Sequence, residues 1–280
     1  MNKLLSSGFS RILKSKLFRL ITALSAAYAV FMRVNIRNQE EYYGIKLPID
    51  MGFFAMAVFI GIAIAVFASI FVGTDYSDGT IRNKITAGHK RTVIYLSNLI
   101  LVSVSGMAFI LAYCLSSFVT GAILQRWFSD DVLHLLLNSL ICISLTIAYS
   151  AIFVFIAMLF QNRTSSAVIC LLTSFIMLFA SMSISQLLSA PEYYDNFIYD
   201  VNGDIVGYDD PIPNPDYPRG LKRELLLAAN DVLPSGQALQ VSQMYSDEFE
   251  FEYRLPLYSL AIIVLFTGTG IALFRKKDLK

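Results

Sequence analysis

The 280-residue chain carries 56% hydrophobic and only 15% charged side chains, with a mean hydropathy of +0.59. Soluble domains average about 25% charged residues, so composition excludes an ordinary soluble globular protein and indicates a polytopic membrane protein. The net charge of +1 conceals a strong segregation of basic residues between successive apolar runs.

In chain order, Asn2–Lys16 has Leu5, Phe9, Ile12 and Leu13 at helical spacing on one face, with Lys3, Ser7, Arg11 and Lys14 opposite. That pattern predicts an amphipathic helix lying in the membrane plane over residues 1–16, with a merely basic tail as the alternative. No small-residue cleavage site follows the next apolar stretch, which argues against a removable signal. Six runs then reach the length of about 20 residues that a bilayer requires: Leu17–Val34, Met51–Gly73, Val93–Leu124, Leu135–Phe160, Ser166–Leu188 and Leu255–Phe274. The first is bounded by Arg19 and Arg33, which can snorkel to opposite interfaces. The third exceeds what a bilayer needs, so it tilts or projects. The predicted fold is therefore an all-α membrane protein with spans one to five in residues 17–188 and the sixth in residues 255–280, which include a basic tail.

Between spans five and six, residues 189–254 form the one sizeable water-exposed segment. Phe197–Val201 and Asp204–Tyr208 flank Asn202-Gly203, the pair that supplies a type I′ hairpin turn. Pro211, Pro213, Pro215 and Pro218 keep the chain extended, and a helix follows at about Arg219–Val232 with Leu221, Leu225, Ala228 and Val232 on one face. This predicts a small α+β insertion. With the N-terminus inside, the inner segments hold Lys3, Arg11, Lys14, Lys16, Arg19, Arg82, Lys84, Lys90, Arg91, Arg163, Arg275, Lys276, Lys277 and Lys280. The short outer loops hold only Arg33, Arg37, Lys46 and Arg126. The positive-inside rule then places both termini in the cytoplasm and the insertion outside.

Familiar chemistry is missing. His89 and His134 fall on opposite sides of the membrane, and Cys114, Cys142 and Cys170 lie in apolar runs and read as small buried hydrophobes. There is no zincin motif, nucleophile elbow or phosphate-binding Gly-rich loop. No predicted span carries a charge at its middle, as ion-coupled transporters and intramembrane enzymes usually do. No catalytic residue, cofactor or metal ligand is expected, and any energy for uphill movement must come from a partner.

The most informative segment is the cytoplasmic loop at residues 74–92, between spans two and three. Asp78 can cap a short helix at the amides near Thr80 and Ile81, Ile81 and Ile85 form an apolar ridge flanked by Arg82 and Lys84, and Gly88 can end the helix in a left-handed conformation. Two readings stand on the residues alone: an element gripped by a cytosolic partner, or a solvated turn that is basic because it is cytoplasmic.

Asp75-Tyr76-Ser77-Asp78-Gly79-Thr80-Ile81-Arg82-Asn83-Lys84 resembles the Glu/Asp-Tyr/Phe-x-x-Gly-Thr-Ile-Arg/Lys-Asn pattern of bacterial ABC transporter permeases of the type-2, exporter-like class. Pro218–Arg223 with Asp231–Gln237 resembles the outer segment before their last span, and Gly270–Lys280 resembles their tail. The resemblance covers nearly the whole chain; the large insertion departs from the plainest members. It implies that residues 74–92 carry the coupling helix, with Asp75, Tyr76, Asp78, Gly79, Thr80, Ile81, Arg82, Asn83, Ile85 and Gly88 contacting a cytosolic ABC ATPase. Two ATPase copies, which would hold ATP and Mg, and a second identical or similar permease chain are the implied partners, alongside the lipid bilayer; nucleic acid is not. Relatives expel antimicrobial and other amphipathic peptides, drugs, ions or polymers. Charge-free walls beneath the acidic outer residues Glu192, Asp195, Asp200, Asp204, Asp209, Asp210 and Asp216 favour an amphipathic or hydrophobic peptide, although an acidic outer loop can also be plain solvated surface. A bacterial cell-membrane exporter subunit is the expectation; a membrane sensor or scaffold without transport is the rival.

Overall fold

The structure is a computed structural model that describes residues 1–124, 126–128, 132–160, 162–199, 205–242 and 253–277. Ten helices and one two-stranded sheet are found among them: α1 (Asn2–Lys14), α2 (Lys16–Tyr43), α3 (Met56–Ser77), α4 (Thr80–Thr86), α5 (Arg91–Ile123), α6 (Val132–Leu159), α7 (Arg163–Leu188), β1 (Tyr193–Tyr199), β2 (Ile205–Pro213), α8 (Leu221–Val232), α9 (Pro234–Ser242) and α10 (Arg254–Lys276). Six of the helices, α2, α3, α5, α6, α7 and α10, are long and apolar enough to cross a membrane. The molecule is a mostly helical multi-pass membrane protein.

Helices α3, α5 and α6 make the centre. Close approach there depends on glycines without side chains: a Cβ on Gly106 of α5 would stand 2.8 Å from Thr146 Cγ2 of α6 and 2.9 Å from Ile64 Cδ1 of α3, and one on Gly61 of α3 would stand 2.8 Å from Tyr149 Cε1 of α6. An aromatic cluster ties α2 to this centre, with Phe18 within 5.5 Å of Phe109 and Tyr28 within 5.5 Å of Tyr113, centroid to centroid. The three cysteines are free thiols, two of them buried.

The sequence reading and the structure differ at both ends of the first span. Between α1 and α2 a single extended residue, Ser15, forms an elbow, and its hydroxyl accepts from the Phe18 amide at 3.3 Å as an N-cap. Helix α1 buries Gly8 and Ile12 against the bundle, where Gly8 meets Leu101 of α5, while Leu13 of the expected apolar face is 68% exposed. At its other end α2 runs on to Tyr43, so Arg33 lies well inside the helix and does not snorkel; it is 4% exposed. Its Nε donates to Ser117 Oγ at 2.8 Å and its Nη2 to the Ile49 carbonyl. Two of its five donors are thus met by neutral oxygens inside the protein, and the Asp50 and Glu40 carboxylates lie close enough to add favourable charge. Just beyond, the Glu40 carboxylate accepts two parallel bonds from Arg126, at 2.9 and 2.6 Å, and one from the Leu47 amide at 2.6 Å.

The insertion also departs from expectation. Strands β1 and β2 pair antiparallel with Phe197 opposite Tyr208 and Ile198 opposite Gly207, the register an Asn-Gly turn would set. The turn itself, Asn202-Gly203, lies outside the described residues, as do Asp200, Val201 and Asp204. Pro211 and Pro213 fall inside β2, which a two-stranded sheet tolerates because each strand has an open edge. In α8 the expected apolar face points outward, with Leu221 70% and Leu225 61% exposed.

Residues 189–254 are not all at the surface. Helix α9 is buried among α3, α6 and α7, with Pro234, Ser235, Gly236, Gln237, Ala238, Val241 and Ser242 covered. Its polar groups are satisfied inside: Ser235 and Ser181 hydroxyls lie 2.6 Å apart, Ser235 Oγ donates to the Met177 carbonyl at 2.8 Å, and Gln237 Oε1 accepts from Ser259 at 2.6 Å. The corner from α8 into α9 requires Gly236, since any Cβ there would collide with the Asn230 carbonyl. The sequence signal for α9 is the charge-free run from Val232 to Ser246, too short to span a bilayer and so included in the water-exposed segment.

Candidate functional site

Helix α1, the end of α10 and the ends of α3, α5, α6 and α7 meet at one pole of the bundle. Here α3 leaves, α4 lies across, and α5 returns. Helix α3 is one turn longer than its apolar run, so Asp75 and Tyr76 belong to it and Asp78 is its C-cap. Asp78 therefore does not cap α4; no such bond is found, and Gly79 occupies the N-cap position instead. The reason is backbone geometry. Gly79 sits at φ +67, where it stops α3 by donating to the Tyr76 carbonyl at 3.1 Å and starts α4 by accepting from the Asn83 amide at 3.1 Å.

The other end of α4 follows expectation. Gly88 is left-handed at φ +84, its amide donates to Ile85 O at 2.9 Å, and the His89 amide donates to Lys84 O at 3.1 Å. These two bonds make a Schellman motif. A helix of 7 residues is thus held between two glycine corners, each in a left-handed backbone conformation that other residues rarely adopt.

The ridge of α4 faces inward. Ile81 is 1% exposed inside the chain's own core, and Ile85 is partly buried against it. The expected partner-facing ridge is an anchor, because a two-turn helix has only one apolar stripe and the bundle takes it. Arg82, Asn83, Thr86, Ala87 and Gly88 face outward, as does Asp78.

Asp75 organises the pole. Its carboxylate is fully buried and bonded by two cations from different elements: Arg11 of α1, and Lys84 Nζ of α4 at 2.7 Å. Arg11 also stacks 3.7 Å over the Phe71 ring. A buried carboxylate needs such partners, and these ones fasten α1 and α4 to α3. Tyr76 donates to the Met158 carbonyl of α6 at 3.0 Å, and Gly73 lets Arg163 at the start of α7 approach so closely that a Cβ would lie 2.9 Å from its Cα.

Cations close the remaining helix ends. Arg91 Nη1 donates to the carbonyls of Phe274 at 3.0 Å and Arg275 at 3.2 Å, and to that of Lys277. Lys277 donates to Met158 and Leu159, the last carbonyls of α6. Each places positive charge on the negative end of a helix dipole; burial pulls the Lys277 ammonium below the ordinary lysine range.

The expected contact residues therefore divide. Asp75, Tyr76 and Ile81, with Ile85 in part, turn inward and hold the pole together; Asp78, Arg82, Asn83 and Gly88 are exposed; Gly79 and Thr80 form the corner between them. Sequence reasoning missed Arg11, Lys84 and Lys277 as members of this network. Part of the signal was available: Asp75, Asp78 and Asp278 are the only acids in an otherwise basic set of inner segments, and a carboxylate at the end of an apolar run needs a cation. No protein-family model matches the chain, and no curated protein matches it.

Proposed function

We propose that this chain is the membrane-spanning permease subunit of an ATP-driven ABC exporter of the type-2 class, with α4 as its coupling helix. One observation carries the reading. A two-turn helix joins the ends of two membrane-length helices through glycine corners, presents a polar face with Arg82, Asn83 and Thr86, and is fastened by Ile81 and Lys84 to the helices behind it. A push on that face is delivered to α3, α5 and, through Asp75, α1. The Gly-Thr-Ile-Arg-Asn motif that resembles the coupling segment of such permeases forms this element.

In this reading the α4 pole is cytoplasmic, as the distribution of Lys and Arg favours, and α1 lies at the inner interface. Two ATPase subunits, binding ATP and Mg, seat on the α4 helices of two permease chains. ATP-driven closure of the ATPase pair moves α3 and α5 and reshapes the pathway between the permeases. The substrate is an amphipathic or hydrophobic peptide, drawn by exposed Glu192, Asp195, Asp209, Asp210 and Asp216 on the outer insertion.

The test is to purify the tagged chain from its native membranes under mild conditions. A co-purifying phosphate-loop ATPase, reduced at least about tenfold by Arg82→Glu, supports the proposal, by analogy with charge reversal at interfaces where like charges cost several kcal/mol. A chain that purifies without any ATPase, or a complex indifferent to charge reversal on the exposed α4 face, overturns it.

A further inference from the structure

A pocket of about 310 Å³ opens beside the elbow between α1 and α2, under the α4 pole. Arg11, Lys14 and Leu17 line one wall; Phe67, Ile70 and Phe71 of α3 line the other. Two cations and no acid face this space. The contrast is with the cavity of about 470 Å³ at the opposite pole, whose Arg37, Lys46 and Arg126 share the lining with Glu40 and Glu41. Two of those cations are already paired, Arg37 with Glu41 at 3.0 Å and Arg126 with Glu40 at 2.6 Å.

Beside the elbow the balance is uncompensated. Asp75 carries one negative charge against both Arg11 and Lys84, so that triad holds one surplus positive charge, and 38% of the Arg11 side chain stays open. Lys14 is exposed with no ion-pair partner among the described residues. The pocket also reaches Ser15, where the first turn of α2 starts, adding the positive end of a 28-residue helix. On α3 the wall carries one hydroxyl, Thr74, already spent on the Ile70 carbonyl at 2.7 Å, and below it two aromatic rings and an isoleucine on a membrane-length helix. Anion recognition above hydrocarbon, at the rim of a membrane bundle, fits one ligand class.

We infer that this pocket seats an anionic glycerophospholipid, its phosphate between Lys14 and Arg11 and the first carbons of an acyl chain against Phe67, Ile70 and Phe71. The bound lipid holds α1 against α3 and, through Arg11 and Asp75, steadies α4. This site needs only α1 docked on a membrane-spanning bundle and does not depend on the exporter assignment.

The experiment titrates the purified full-length chain in neutral detergent micelles with phosphatidylglycerol, phosphatidylcholine or soluble glycerol phosphate, following thermal stabilisation. Phosphatidylglycerol is expected to bind well above the other two. Lys14→Gln should weaken it about fivefold, the effect of one cation at a membrane surface, and Ile70→Trp should weaken it by filling the apolar half. Lys3→Gln, on the same helix but outside the pocket, should not. Lys14 is exposed, so its substitution leaves folding intact and decides the matter if Ile70→Trp lowers stability without lipid. Equal binding of phosphatidylcholine, equal binding of glycerol phosphate, or equal loss in Lys3→Gln and Lys14→Gln each overturns the site.

Discussion

Asp75 is bonded at once to the N-terminal helix and to the short helix that follows its own, and neither cation can replace the other. Arg11 reaches it from 64 residues away and Lys84 from 9. Asp75→Ala should cost about 2–4 kcal/mol, somewhat less than breaking a fully buried pair, because both cations retain some water. Lys84→Gln should cost less, since Asp75 keeps Arg11. Thermal unfolding in detergent measures both, and a double-mutant cycle of Asp75→Ala with Arg11→Ala should show strong non-additivity. Additive losses would mean that α1 is held by its apolar contacts alone. The sequence marked Asp75 as special but gave its partner as another protein. Residue type and position were legible; the contact across 64 residues was not, because charge pairing between distant elements leaves no local periodicity.

At the scale of elements, α4 is defined by its corners. A side chain at Gly79 would touch nothing within 4 Å, so Gly79→Ala should cost only the left-handed backbone penalty of about 1–2 kcal/mol. Gly236→Ala should be far more damaging, because the Asn230 carbonyl occupies the space a methyl group would need. Comparing the two by thermal unfolding separates strain from collision; equal losses would contradict this account of the α8–α9 corner. Ile81→Asp should destabilise the pole itself, by about 3–5 kcal/mol for an unpaired buried charge, instead of leaving an intact surface. Charge reversal at exposed Arg82 is therefore the better probe of partner contact. The Gly88 stop was legible because Schellman ends carry a glycine signature. The cap was misread because an Asp before Gly-Thr is equally good chemistry for ending one helix as for beginning the next.

At the scale of the whole molecule the six long helices are unequal. The most apolar windows of α3 and α6 are 67% and 72% buried within the chain, those of α2, α7 and α10 only 22%, 22% and 17%. The central pair packs on protein; the outer three offer apolar faces to lipid or to a second chain. Gly106→Val, at the three-helix crossing, should lower the unfolding midpoint severely by overpacking, at about 1–3 kcal/mol or more. Leu172→Ala, 56% exposed on α7, should change it by less than about 0.5 kcal/mol. A large effect at Leu172, with a loss of oligomers on native gels, would instead mark that face as a subunit contact. All six spans were legible because a bilayer demands about 20 apolar residues in a row. Their ends were less so: α2 continues through Arg33 and Glu40, charges that hydropathy treats as stops and that packing satisfies.

The buried position of α9 has a consequence for biogenesis. It fills a slot between α3, α6 and α7, yet all three are synthesised before it, and α10 after it. A nascent chain that has released α7 into the bilayer carries an unfilled gap lined by Ser181 and Tyr149 until residues 234–242 emerge. Membrane insertion and completion of the bundle are thus separate events in time. A chain ending after Leu188 should insert and then be cleared by membrane proteases, whereas co-expression of a second fragment supplying residues 189–280 should rescue it, as pulse–chase half-lives would register.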